Sequence, residues 1–141
     1  MAQSNLAWNF HLLFSMAAAL DLSEDILAIV KDITRFDGSH IGFAGSKSEN
    51  YEAAERLWAA CSTADLAAVA ASHSNPATRC YALEGLYNRT KEGEKAAMDW
   101  LRTLKDSFRS DQTTVTTMSG CCKGNETVSD ASDYYFQQLN M

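Results

Sequence analysis

Residues 74–89 read SNPATRCYALEGLYNR, and their reading decides the fold. Asn75 is a strong N-cap, because its side-chain oxygen accepts from an N–H that the first helical turn leaves unpaired. Pro76 suits the first helical position, where its missing N–H costs nothing. Beyond this start, Arg79, Ala82, Leu83 and Leu86 fall along one side of the helix. The Arg79 guanidinium thus lies beside an apolar stripe and requires an acceptor there.

Working outward, the same 3.6-residue period recurs. Leu6, Phe10, Leu13, Phe14 and Ala17 predict a first helix over residues 4–19. Ser23 caps a second, with Glu24 and Asp25 at the positive end of its dipole and Ile26, Ile29, Val30 and Ile33 as its stripe. The glycines of FDGSHIGFAGSKS, residues 36–48, predict a long loop. A third helix is expected from about Ser48 to Cys61, a fourth capped by Thr63, and a sixth from about Glu92 to Phe108. Residues 109–126 lose the period. Their Thr and Val content allows a β-hairpin turning at Lys123–Asn125, but an ordered loop is the preferred reading. VSDASDYYFQQLNM closes the chain as a last helix with Val128, Ala131, Tyr135 and Leu139 inward. One proline and seven glycines are too few to turn a sandwich or barrel at each strand end. The expectation is an all-α, compact single domain over 1–141, of about seven helices.

Thr63 to Leu104 resembles a HEAT-type helical repeat, two antiparallel helices stacked on neighbouring pairs. The short helix DLAAVAAS, the break SNP, and Arg79, Ala82, Leu83 and Leu86 carry the resemblance. HSNPATRCYALEGL followed by SDQTTVTTMSGCCKGNETVSD is also similar to a helical domain of uncharacterised bacterial proteins, with Asp111, Gly120, Cys121, Val128 and Asp130 matching. This resemblance covers residues 63–141 and implies HEAT-like pairs; residues 1–62 would add N-terminal helices. It implies structural roles for Asn75, Pro76, Arg79, Asp111, Gly120 and Cys121, with Asp111 as a candidate acceptor for Arg79. It implies no activity.

At 141 residues with 46% apolar content, the chain closes a core without a disulfide or metal staple. A net charge of −6 with only 12 Lys and Arg, scattered singly, opposes nucleic-acid binding and favours a basic partner. Asp21 interrupts the N-terminal apolar run too early for a membrane span, and the run lacks the basic start of a signal peptide. Cys61, Cys80, Cys121 and Cys122 show no metal-ligand spacing. Reduced thiols and a cytoplasmic location are the reading adopted; a Cys61–Cys80 bridge, and a periplasmic or secreted protein, stay open.

Cys121 is the one candidate nucleophile, a thiol after glycine and ahead of a helix start. His11, His40 and His73 lie in unrelated places, so a small packing residue is the simpler reading. The carboxylates of NETVSDASD lack the spacing of a calcium loop and read as helix caps. No cofactor motif occurs. Tyr134, Tyr135 and Phe136 cannot all face one core, so at least one reaches the surface beside Asp130 and Asp133. The expected function is a non-catalytic protein-binding domain using Asp130, Asp133, Tyr134 and Phe136. An immunity-type inhibitor of a basic toxin is its sharpest form, and a thiol-dependent enzyme using Cys121 is the rival class.

Overall fold

The computed structural model describes residues 22–42 and 44–141; the helix expected over 4–19, with His11, lies outside them. The described chain runs α1 (Glu24–Lys31), β1 (Phe36–Ile41), β2 (Ser46–Lys47), α2 (Glu49–Ala60), α3 (Thr63–Ser72), α4 (Pro76–Lys91), α5 (Lys95–Arg109), β3 (Thr114–Gly120), β4 (Cys122–Thr127) and α6 (Val128–Gln138). Among the described residues, six helices and a four-stranded mixed sheet make an α/β fold. The expected all-α domain of about seven helices is thereby overturned.

Helix starts sit where short polar side chains take up unpaired N–H groups. Ser23 Oγ accepts from Ile26, Ser48 Oγ from Tyr51, Asn75 Oδ1 from Ala77 and Thr127 Oγ1 from Asp130. Ser62, rather than Thr63, caps α3 through Asp65. α5 begins at Lys95 instead of near Glu92. No helix among the described residues is long and apolar enough to cross a membrane.

α4 is the axis of the molecule. Ala77, Thr78, Cys80, Tyr81, Ala82, Leu83, Gly85, Leu86 and Tyr87 are all buried along it, and a helix buried on so many sides is enclosed by its neighbours. It packs on α2, α3, α5 and α6 and on the strands β1 and β3. Gly85 lets α2 approach: a Cβ there would lie 2.5 Å from Trp58 Cδ1, well inside van der Waals contact. The indole is pinned in that space, because Trp58 Nε1 donates to the Tyr81 carbonyl at 2.7 Å. At the end of α2, Arg89 donates to the Trp58 and Cys61 carbonyls at 2.7 and 2.6 Å and to Thr63 Oγ1 at 2.8 Å. One α4 side chain thereby satisfies carbonyls that the end of α2 leaves unpaired.

The sheet comes from the two stretches expected to be loops. Its order is β2-β1-β3-β4, with β1–β2 and β3–β4 antiparallel and β1–β3 parallel. Residues 36–48 supply β1 and β2, and residues 114–127 supply the hairpin. The hairpin runs in register from Thr114↔Thr127 to Ser119↔Cys122, so its turn is Gly120–Cys121, and the Lys123–Asn125 turn signal falls inside β4. Gly120 carries φ 56°, as the first position of a two-residue hairpin turn of the Gly-X kind requires.

Tyr81 fastens the sheet to α4. Its hydroxyl accepts from the Asp37 N–H at 2.7 Å and donates to the Asp37 carbonyl at 3.0 Å. Asp37 is itself buried, and its carboxylate accepts from Arg35, from Ser48 Oγ at 2.7 Å and from Asn50 Nδ2 at 3.2 Å. Every oxygen of this carboxylate is occupied, as a buried charge demands.

Candidate functional site

Where β1, β3 and β4 meet α4 and α6, the packing leaves a cavity of about 200 Å³. Phe36, Asp37 and Gly38 line it from β1, Thr117, Met118 and Ser119 from β3, Glu126 from β4, Glu84 from α4 and Tyr135 from α6. Three of these side chains are carboxylic acids, and no Lys or Arg among the described residues lines it.

The three acids differ in environment. Asp37 is spent on Arg35, Ser48 and Asn50. Glu126 is exposed at the mouth. Glu84 stands between: Tyr135 Oη donates to its Oε1 at 2.8 Å, while Oε2 is buried and has no hydrogen-bond partner among the described residues. Burial raises the Glu84 carboxyl to about 7, against the opposing pull of the Tyr135 hydrogen bond and the Lys91 charge. Burial likewise raises the Tyr135 hydroxyl, and the adjacent Glu84 carboxylate adds to that, so Tyr135 is fixed as a donor. The result is a carboxyl poised near neutrality, with one oxygen held and the other free to accept.

Tyr134 flanks this site. Its ring meets those of Tyr135 and Tyr87 edge-on at 5.5 and 6.3 Å, and it is 59% exposed. Asp130 is exposed on the same face of α6, one turn earlier, and Asp133 is half-buried with Gln137 Nε2 on its carboxylate. Phe136 lies elsewhere: it is fully buried, against Phe108 at 6.3 Å. The helical rotation that turns Tyr134 outward turns Phe136 into the core, so Phe136 is removed from the expected binding face.

The residues read as structural fall in three separate places. Arg79 Nη1 lies 2.6 Å from Asp111 Oδ2, and Asp111 also accepts from the Thr113 and Ser129 N–H groups at 2.9 Å. α4 is thereby tied to the junction of α5 with the hairpin and α6. Asn75 caps α4 and donates to the Ile33 carbonyl at 2.8 Å, fastening α1. Gly120 and Cys121 form the hairpin tip. Cys121 does not precede a helix as expected, because the whole of β4 intervenes, and its thiol is exposed with Cys122 Sγ at 3.7 Å. All four cysteines are free, and Cys61 and Cys80 are buried.

Sequence reasoning missed Glu84, Glu126 and Tyr135 as a set. One signal was present: Glu84 is the single acid of α4 and directly follows Leu83 of its apolar stripe, beside which a carboxylate needs a partner. Compared with protein families, curated proteins and solved structures, the chain matches none.

Proposed function

We propose that this domain is a non-catalytic binding module for a basic protein, and that the pocket of Glu84 and Glu126 takes up a lysine or arginine side chain of that partner. The observation that carries the reading is Glu84, a residue lining an acidic cavity that no Lys or Arg among the described residues lines, with its buried Oε2 unpaired among the described residues. Leaving such an oxygen unpaired costs about 1–3 kcal/mol. A guanidinium or ammonium supplies both the missing donor and the charge that lets the carboxyl ionise. Pockets for cofactors and drug-sized ligands span roughly 300–1,000 Å³; a cavity of about 200 Å³ suits the end of a side chain. Tyr134 beside it is an aromatic anchor of the kind that dominates protein interfaces, and Asp130 and Asp133 supply orienting charge. The net charge of −6 favours encounter with a basic partner. A basic toxin held by an immunity-type inhibitor belongs to that partner class.

The test uses the cationic group itself. N-acetyl-arginine amide and n-butylammonium are titrated into the full chain by NMR, with Glu84→Gln and Glu126→Gln variants in parallel. The expected result is a set of shifts at Gly38, Glu84, Ser119 and Tyr135, weakened in both variants. Below the Glu84 value of about 7, affinity should fall roughly tenfold per pH unit, since the protonated acid must ionise to bind. Shifts confined to other residues, or equal in Glu84→Gln, defeat the reading.

A further inference from the structure

The structure points to a second site, independent of the acidic pocket: we propose that Cys121 and Cys122, at the tip of the β3–β4 hairpin, form a bidentate thiolate site for a thiophilic divalent cation of the zinc–cadmium class. Successive side chains in a strand point to opposite faces, which would hold adjacent thiols apart. Here the alternation is broken. Cys121 occupies the turn and Cys122 the first position of β4, so the two sulfurs come to one side, 3.7 Å apart. The backbone beneath them is set by the register that ends at Ser119↔Cys122 and by Gly120 at φ 56°.

That separation selects the chemistry. A disulfide needs an S–S bond of about 2.0 Å and favours Cα atoms roughly 4.4–6.8 Å apart, whereas neighbouring residues hold theirs at about 3.8 Å. A Cys121–Cys122 bond therefore strains the turn. A linear two-thiolate ion with metal–sulfur bonds of about 2.3 Å needs sulfurs about 4.6 Å apart, and the pair is too close. The same bond length across 3.7 Å gives an S–metal–S angle of about 107°, the tetrahedral value that zinc-like ions adopt.

Access and competition favour the same pair. Both thiols are exposed, while Cys61 and Cys80 are buried and held protonated, burial pushing them up to about 11 and about 12. Binding converts two thiols and one cation into a dithiolate complex and two released protons. No set of three or more His, Cys, Asp or Glu side chains gathers among the described residues, so water completes the coordination.

The experiment titrates cadmium ion into the full chain, kept reduced with a phosphine, and follows thiolate-to-cadmium charge-transfer absorption in the ultraviolet. The expected result is saturation at one ion per chain. Cys121→Ser and Cys122→Ser should each weaken uptake on the order of 100-fold, because either change destroys the chelate. Cys61→Ser and Cys80→Ser should leave the titration as it is. Circular dichroism of each variant confirms that the fold persists. Uptake unaffected by either hairpin substitution, or one ion per two chains, or no band at stoichiometric cadmium, overturns the proposal.

Discussion

Replacing Glu84 with Gln isolates the cost of burying a carboxyl with one oxygen unpaired. In the folded protein burial raises this group from 4.5 to about 7, whereas in the unfolded chain it titrates near the lower value. Between those limits the unfolded state has released a proton that the native state keeps. Stability therefore falls as the pH rises through the window, and the loss is complete above the folded value. At about 1.4 kcal/mol per tenfold change in proton affinity, the separation between 4.5 and about 7 amounts to about 3 kcal/mol. Gln keeps the volume, accepts from Tyr135 through its amide oxygen and does not titrate. Urea unfolding of both proteins, with stability extrapolated to water, reads the difference. Near pH 5 the two should agree to within about 1 kcal/mol, and near pH 8 Glu84→Gln should be the more stable by about 3 kcal/mol. All other titrations cancel in the comparison when they are distant from the site. A difference that stays constant from about pH 5 to about pH 8 refutes the reasoning, because the carboxyl would then titrate alike in both states.

Three further substitutions probe the frame that holds the pocket. Arg79→Ala breaks a pair whose side chains are each 16% exposed, between the exposed case worth under about 1 kcal/mol and the buried case of about 3–5; a loss of about 2 kcal/mol is expected in chemical denaturation. Burial alone would raise the Asp111 carboxyl, but hydrogen bonds from Thr113 and Arg79 outweigh it and hold it below its ordinary value. This stability is thus present at neutral pH and lost as the pH falls into the acid range, and Arg79→Ala should flatten that acid limb. Tyr81→Phe removes the hydroxyl bonded to both backbone groups of Asp37 and should cost about 1–3 kcal/mol, read as a lowered urea midpoint at unchanged slope. Gly85→Ala improves helix propensity by roughly 1 kcal/mol yet drives a methyl into the pinned Trp58 ring. Overpacking of about 1–3 kcal/mol should outweigh the gain, and a raised melting temperature would contradict that close approach.

The helices were legible because their signals are local. Ser23, Ser48 and Asn75–Pro76 announce starts within a turn of chain, and the apolar faces of α1 and α5 repeat at the helical period. The strands were not, because nothing local makes them. In β1, FDGSHI buries Asp37 alone, and that residue is an acid whose burial depends on Arg35, Ser48, Asn50 and Tyr81. In β4, CKGNET is exposed at every position before Thr127, so no alternation of apolar and polar residues exists to be read. Both stretches are strands because β3 lies between them as a hydrogen-bonding template, and that juxtaposition is a tertiary fact. The pocket shares this origin in part: Glu84 and Tyr135 meet where α4 packs on α6, and Glu126 joins them only through the sheet. Arg79 with Asp111, in contrast, followed from the need of a guanidinium beside apolar side chains for an acceptor.

The parallel pairing of Phe36 with Thr117 joins strands separated along the chain by α2, α3, α4 and α5. Closing so large a loop forfeits chain entropy before any ladder bond is gained, so folding is expected to be slower than for a plain helical bundle, with the helices collapsing ahead of the sheet, an order that low φ-values in β1 and β3 would bear out. The cavity, floored by the strands and walled by the helices, has no partial counterpart earlier on that route. Any molecule that occupies it recognises only the finished chain, and so retards unfolding without hastening assembly.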